Sequence, residues 1–240
     1  VDMQKIVFNA HYLTYFDTAM GDYWRALALP YDSTLQSLGG DLYVKKATIE
    51  YHASAQMDDQ LEVALQCQRI GTSSMTFTGA IFRGEDCLIS GELIYVFADP
   101  TTQTSKPLPA ALRDILLAFE AREPMITVEV GAWKTLQTEA SQVRAEVFVK
   151  EQRIPIELEQ DAADATAVHA VARNRLGVAV ATGRLVQHAP GVGRMGRMAV
   201  NRVLRGTQLG GDVLRALMRA AAQRGDHEVI LHAQQTAQGF

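Results

Sequence analysis

The sequence predicts two domains in succession: an α+β domain, whose antiparallel sheet wraps a long helix, and then an α/β domain. Three observations predict this. An aromatic stripe at helical spacing runs from Tyr12 to Leu27, period-two strands follow it, and strands and helices alternate beyond Glu123-Pro124.

The chain has 240 residues, 48% hydrophobic and 21% charged, with a formal net charge of −4. That composition excludes disordered, collagen-like and coiled-coil classes. The length suits one large domain or two small ones, at about 100–200 residues each. No apolar run reaches the roughly 18 residues a membrane helix needs, so no membrane association is expected. Charge is uneven. Nine basic face fifteen acidic residues up to Arg122, and fourteen face twelve beyond it. Nucleic-acid binding needs a broad basic face and is not expected. The local run Arg194, Arg197, Arg202 and Arg205 fits a phosphorylated ligand better. Cys67 and Cys87 lack metal spacing and lie in strand-like runs. Buried free thiols and a cytoplasmic location are expected, with no metal.

In the first domain, Tyr12, Phe16, Ala19, Met20, Tyr23 and Leu27 recur at spacings of three and four, which predicts a helix over His11 to Leu27. Asn9 is a suitable N-cap because its side chain can accept from orphan amides. Leu42 to Tyr51 is strand-like. Leu61, Val63, Leu65 and Cys67 alternate with polar residues or alanine, as a strand requires. Met75, Phe77 and Ile81 continue that pattern after a turn at Gly71, and Leu88 to Phe97 follows the turn Gly84-Glu85-Asp86. Val1 reads as the tail of a first strand. Asp99 to Pro107 is a polar loop, and Leu112, Ile115, Leu116 and Phe119 mark a short amphipathic helix. The break at Glu123-Pro124 places the domains at residues 1–122 and 123–240.

In the second domain, Ile126 to Val130 is a strand, and a helix covers Thr138 to Lys150 before Pro155 ends it. Val168 to Arg173, Gly177 to Val186 and Arg194 to Val200 read as strands. A glycine-containing loop, a helix from Leu209 to Arg224 and a strand from Glu228 to Ala233 close the series. No internal repeat relates the halves.

Two constellations bear chemistry. Asp2 lies seven residues before Asn9, near the helix start. Amides at a helix N-terminus carry partial positive charge and can polarise a thioester or ester carbonyl. A carboxylate beside them can activate water or attack directly. His11 is read as structural, and His52 as exposed. Ser73-Ser74 lacks a Gly-x-Ser-x-Gly elbow and is read as turn chemistry. The second constellation is Arg197 to Gly211: a strand, a basic glycine-containing loop and a helix start, an order that suits a pyrophosphate. It is neither a Walker sequence nor a Rossmann fingerprint.

The run Asp2 to Asp17, with Ala47-Thr48-Ile49-Glu50-Tyr51, Asp59 and Arg69 to Ser74, resembles hotdog-fold acyl-CoA thioesterases of the 4-hydroxybenzoyl-CoA thioesterase type, over Val1 to Arg122. The resemblance implies that Asp2 is the catalytic carboxylate and that Asn9 holds the helix-start position facing the thioester carbonyl. It places Gly71, Thr72, Ser73 and Ser74 beside coenzyme A or the acyl chain. Lys5 stands where glycine is usual, and Asn9 where many relatives have histidine. An acyl-CoA substrate and a homodimer or homotetramer through this domain are implied as well.

Arg205 to Gly211 resembles motif A of the GCN5-related N-acetyltransferases (GNAT), with Gln208 in place of the first glycine. The run Arg144 to Gln152, leading to Glu157, Asp161 and His169, looks like the ElaA-like branch, over Ile126 to Phe240. The resemblance implies acetyl-CoA as a ligand, at Met198, Val200, Arg205, Gly206, Thr207, Gln208, Leu209, Gly210 and Gly211. A left-handed backbone at Gln208 would cost roughly 1–2 kcal/mol. Glu151, Glu157 and His169 are candidate bases, with core or salt-bridge roles favoured, and no catalytic residue is assigned. The chain is expected to be cut at both ends, the second domain lacking its closing elements and the family's tyrosine acid. Together the resemblances imply a thioesterase fused to an N-acyltransferase domain. The alternative is a non-catalytic acyl-CoA sensor or assembly protein.

Overall fold

The computed structural model describes residues 5–231. The chain divides into two compact units, Val1–Pro124 and Met125–Phe240.

The first unit opens with α1 (His11–Ala26) and a short helix α2 (Tyr31–Leu38), which then gives way to four strands. These are β1 (Asp41–Tyr51), β2 (Glu62–Ile70), β3 (Ser74–Arg83) and β4 (Asp86–Ala98), all antiparallel in the order β1-β4-β3-β2. Helix α3 (Ala110–Glu120) closes the unit. The residue pattern assigns no element to Tyr31 to Leu38, whose eight residues span little more than two helical turns. The break comes from Pro30, which fixes its own φ and lacks an N–H, and from the left-handed Gly39 that ends α2.

The expected alternation holds on β4, where Leu93, Tyr95 and Phe97 are buried and Ile94 and Val96 are only half-buried. The inner face lies on α1 through Tyr12, Phe16, Met20 and Tyr23, all buried. Gly79 and Gly91 sit opposite each other on β3 and β4. Phe16 fills the space their missing side chains leave: a Cβ on Gly79 would come within 2.5 Å of its ring. At the far end of α1, Glu120 Oε1 accepts hydrogen bonds from Tyr23 Oη and the Cys67 amide, each 2.7 Å, tying α3 to α1 and β2. Burial pushes the Cys67 thiol up to about 12. Cys67 is buried as expected, whereas Cys87 is exposed, because it lies beside the β3–β4 turn rather than in the covered part of the strand.

The second unit contains β5 (Ile126–Ala132), β6 (Val168–Asn174), β7 (Ala179–Ala189), β8 (Val192–Val200) and β9 (Glu228–Leu231) in that spatial order. Every pairing is antiparallel except β8 with β9, which is parallel. That pair requires a crossover, and α6 (Leu209–Arg224) supplies it. Residues Val180 to Leu185 are buried without a break, as expected of a strand covered on both faces. Helix α4 (Trp133–Arg144) lays Leu136 and Ala140 on Val171. The helix expected to run on to Lys150 instead widens into a π-helical stretch, Ala145–Glu151. This packs Val147 and Phe148 against Ala199 of β8. Pro155 begins a single turn, α5 (Ile156–Glu159), and a 3-10 turn at Ala162–Ala165 leads into β6.

Candidate functional sites

The start of α1 is fixed by the loop after β1. The Val7 amide donates to the Ala55 carbonyl at 2.9 Å, and the Ala55 amide donates to the buried Tyr12 hydroxyl at 3.0 Å. Lys5, just ahead of this segment, has φ 63°. It therefore adopts the left-handed conformation that glycine would take freely, at roughly 1–2 kcal/mol. Asp2 lies outside the described residues. Asn9 is exposed and does not cap α1; Ala10 holds that position, with no side-chain cap. The reason is local. The two amides an Asn9 cap would serve are already taken by the carbonyls of Phe8 (from His11, 2.9 Å) and of Asn9 itself (from Tyr12, 3.4 Å). Among the described residues, the N–H groups of Asn9 and Ala10 make no backbone hydrogen bond. No acidic side chain lies in the first turn of α1, so nothing within the helix neutralises its positive end. His11 is exposed, in edge contact with Phe8 at 5.8 Å. His52 is exposed and bonded to Ser90 Oγ at 2.8 Å.

Gly71 to Ser74 make the β2–β3 turn, closed by the Gly71 amide on the Ser74 carbonyl at 2.7 Å. The Thr72 and Ser73 carbonyls accept from Leu108 and Phe97, each at 2.8 Å, and Arg113 donates to the Gly71 carbonyl at 2.5 Å. The backbone here is committed to structure, and Ser73 and Ser74 are half-buried.

In the second unit, β8 bulges where Thr182 pairs Ala199 and Arg184 pairs Gly196. Met198 and the left-handed Arg197 (φ 51°) form the bulge. Beyond Val200, a 3-10 turn (Arg202–Leu204) leads to Arg205, whose guanidinium is fully engaged. Both terminal nitrogens pair with the Glu151 carboxylate, at 2.7 and 2.6 Å, and Nε donates to the Val200 carbonyl at 3.2 Å. The hydrogen bond from Arg205 lowers the pKa of Glu151. Gly206 takes the left-handed position (φ +80°), where a side chain would be strained. Gln208 stands at φ −81°, ψ 1° as the N-cap residue of α6. The strain considered for Gln208 therefore does not arise, because the turn is made two residues earlier. Leu209 and Gly210 are buried, and Gly211 half-buried.

His169 is buried beside Trp133, ring centroids 4.7 Å apart, with Nε2 donating to the Asp164 carbonyl at 3.0 Å. Burial lowers its pKa. Glu157 is exposed on α5. What local sequence reading did not reveal is a buried ionic cluster around Arg144. Its Nε contacts Glu159, and Nη1 and Nη2 reach the two Asp164 oxygens at 2.9 and 3.0 Å. Arg184 joins Asp164 and Asp161 at 2.7 Å each. Burial opposes ionisation of Asp164, yet the two guanidiniums overcome it and hold the carboxyl at about 2. The partners lie 15 to 23 residues apart, so no short motif betrays them. Among the described residues no cluster of His, Cys, Asp and Glu could hold a metal ion, and no helix is long and apolar enough to cross a membrane.

A long helix packed on a four-stranded antiparallel sheet, followed by a five-stranded sheet whose one parallel pair is bridged by α6, defines a hotdog-fold domain and then an acetyltransferase-type domain. A thioesterase superfamily model matches residues 4–90, and an acetyltransferase (GNAT) family model matches residues 133–240. The chain belongs to the thioesterase superfamily in its first domain and to the GNAT family in its second. It is 27% identical over 115 residues to the acyl-CoA thioester hydrolase YbgC of Escherichia coli O157:H7, covering 46% of this chain and 83% of that one. It is 30% identical over 89 residues to a protein of Aquifex aeolicus named "Putative esterase", covering 37% and 68%. It is 37% identical over 102 residues to the uncharacterized N-acetyltransferase YjcF of Bacillus subtilis, covering 42% and 71%.

Proposed function

We propose that the first domain hydrolyses an acyl-CoA to the free acid and coenzyme A. Asp2 acts as base or nucleophile, and the exposed amides at Asn9 and Ala10 polarise the thioester carbonyl. The observation that carries this reading is the open, uncapped start of α1 in a thioesterase-superfamily domain. The amides there carry partial positive charge and make no competing backbone bond among the described residues. Asp2→Asn and Asp2→Ala are expected to abolish acyl-CoA hydrolysis, by a factor on the order of 10³ or more for a base or nucleophile, with the melting temperature unchanged. Retained turnover sinks the assignment. Ligand-induced stabilisation without product release identifies an acyl-CoA sensor instead.

The second domain binds acetyl-CoA, with its pyrophosphate at the loop from Arg205 to Gly211 and acetyl transfer to an amine as its reaction class. The pairing of Arg205 with Glu151 bears directly on affinity, because an incoming pyrophosphate competes with that carboxylate. Glu151→Gln is expected to tighten acetyl-CoA binding about two- to fivefold, the scale of one half-exposed ion pair. Calorimetric titration reads this. Weaker binding in Glu151→Gln would instead make Glu151 the residue that positions Arg205.

We also place the chain in a homodimer or homotetramer built through the first domain. Supporting this, β1 pairs only with β4 among the described residues and carries the exposed Tyr43, Val44 and Tyr51. Two free thiols are consistent with a reducing cytoplasm.

A further inference from the structure

The basic run Arg194, Arg197, Arg202 and Arg205 divides in the fold. Arg205 belongs to the loop before α6 and is engaged with Glu151. Arg194 and Arg197 lie earlier, on β8. Their placement follows from the β8 bulge. Gly196 pairs with Arg184 and Ala199 with Thr182, so two residues stand on β8 where one stands on β7. Met198 fills the space above Gly183, beside Val213 and Leu217 of α6. Arg197 is the extra residue, and it holds the left-handed φ of 51° that glycine would adopt freely. Strain of this kind persists only where the surroundings impose it, and it concentrates at binding sites. The Arg197 side chain reaches α5, where Nη2 donates to the Leu158 carbonyl at 2.9 Å and approaches Asp161 at 3.3 Å.

These bonds leave the Arg197 guanidinium incompletely matched. Its Nε is buried with no hydrogen-bond partner, and its Nη1 has none either among the described residues. Its one carboxylate is shared, because Arg184 holds both oxygens of Asp161, at 2.7 and 3.0 Å. The side chain is 27% exposed, so a ligand can reach it. Arg194 is exposed and makes no ion pair among the described residues. It lies two residues from Gly196 and so shares its face of the strand. Gly196 is half-buried, and no atom lies within 4 Å of where its Cβ would stand. Two cations therefore flank a strip of bare, open backbone.

We propose that this strip holds the acyl acceptor, and that the acceptor is an amine which also carries a carboxylate. Arg197 is then the specificity-determining residue, its guanidinium meeting the carboxylate, and Arg194 adds to the attraction. The proposal rests on the acyl-transfer reading of this domain. β8 runs from Arg197 toward the loop proposed for the pyrophosphate. The three residues on to Val200 span about 10 Å, a distance that an extended cofactor arm covers. Transfer forms the amide N–C bond as the thioester C–S bond breaks, the amine gives up one proton, and coenzyme A leaves as the thiol. A planar carboxylate matches the guanidinium fork. Asp161, 3.3 Å from Arg197, repels a dianion more than a monoanion, which favours a carboxylate over a phosphate monoester. The same two arginines repel a polyamine.

The test reads N-acetylated product by mass spectrometry, so thioester hydrolysis by the first domain does not enter the signal. The full chain and acetyl-CoA are supplied with the standard amino acids, the corresponding amino acid amides, phosphoethanolamine and spermidine. At least one free amino acid is expected to exceed its amide by about tenfold or more in kcat/KM. Arg197→Gln is expected to cut that ratio by about tenfold, through KM, and Arg197→Lys to restore part of it. Arg194→Gln, at an exposed position, should cut it by about threefold with the melting temperature unchanged, and it carries the test if Arg197→Gln does not fold. Equal rates for acids and amides, a preference for phosphoethanolamine or spermidine, or a proportional loss on acid and amide alike in the variants overturns the proposal. If the wild type acetylates no amine, the acyl-transfer reading fails and the strip is tested by binding alone. Calorimetric titration with N-acetylglycine should then show weaker binding to Arg197→Gln than to the wild type, and equal binding, or none, overturns the strip as a carboxylate site.

Discussion

Replacing Arg144 with methionine is expected to destabilise the second domain by about 3–5 kcal/mol, the range for removing one partner from a buried ion pair. Arg144 is 1% exposed, and its side chain serves Glu159 and both oxygens of Asp164. Without it, Glu159 stays buried with no cation, and Asp164 keeps only Arg184. The anchored segment runs from Pro155 to Ala167 and has little regular structure of its own, so these bonds replace the ladder it lacks. Hydrogen exchange should show β6 and the turn at Ala162–Ala165 opening first. Replacing Arg144, Glu159 and Asp164 together by apolar residues should recover part of the loss, since the penalty comes mainly from stranded charge.

The same cluster sets a pH dependence. Asp164 has its carboxyl held at about 2, below its ordinary value of 3.8. The folded form therefore prefers the ionised carboxylate. The stabilisation is complete above pH 3.8 and disappears as pH falls from there through 2, an effect of roughly 2 kcal/mol. Asp164→Asn should flatten that part of the acid-denaturation profile while lowering stability at neutral pH. An unchanged profile would show that the cluster does not couple to folding.

The second large effect lies in the first domain. Gly79→Val is expected to cost about 3 kcal/mol or more, at the upper end for inserting atoms into a packed core. Its Cβ would stand 2.5 Å from Phe16 Cε1 and 3.0 Å from a Leu65 methyl. Phe16 is 1% exposed, and a side chain on Gly91 would crowd the other edge of its ring as well, an added Cβ there coming within 3.2 Å. Phe16→Ala alone should cost about 3–5 kcal/mol through the cavity it leaves. The pair is expected to be non-additive: Phe16→Leu should relieve part of the Gly79→Val penalty, as a double-mutant cycle of denaturant midpoints would read. Full additivity would mean the ring and the glycine do not share one space.

Elements with strong periodicity were legible from residue pattern alone. The stripe from Tyr12 to Leu27, the alternation in β2 and the turn before β4 each depend on a local rule, because a helix repeats every 3.6 residues and a strand every two. Helix α2 was not legible, since eight residues span little more than two turns. The π-helical stretch at Ala145–Glu151 was read as ordinary helix for a related reason. Its widening serves the packing of Val147 and Phe148 on Ala199, a contact with a residue about fifty positions away.

At the sites, the divide is similar. The pairing of a glycine-containing loop with a following helix could be read from Arg205 to Gly211, and so could the affinity of such a loop for anions. That Gly206 rather than residue 208 makes the left-handed turn depends on how the chain leaves β8. That Arg205 meets Glu151 depends on α4 and its extension lying alongside β8, which brings together residues 54 positions apart. Local pattern thus settles which elements form and what chemistry each could bear, because those preferences act within a few residues. Which charges neutralise one another, and which side chains share a surface, follow from contacts between distant elements, whose geometry no local preference encodes.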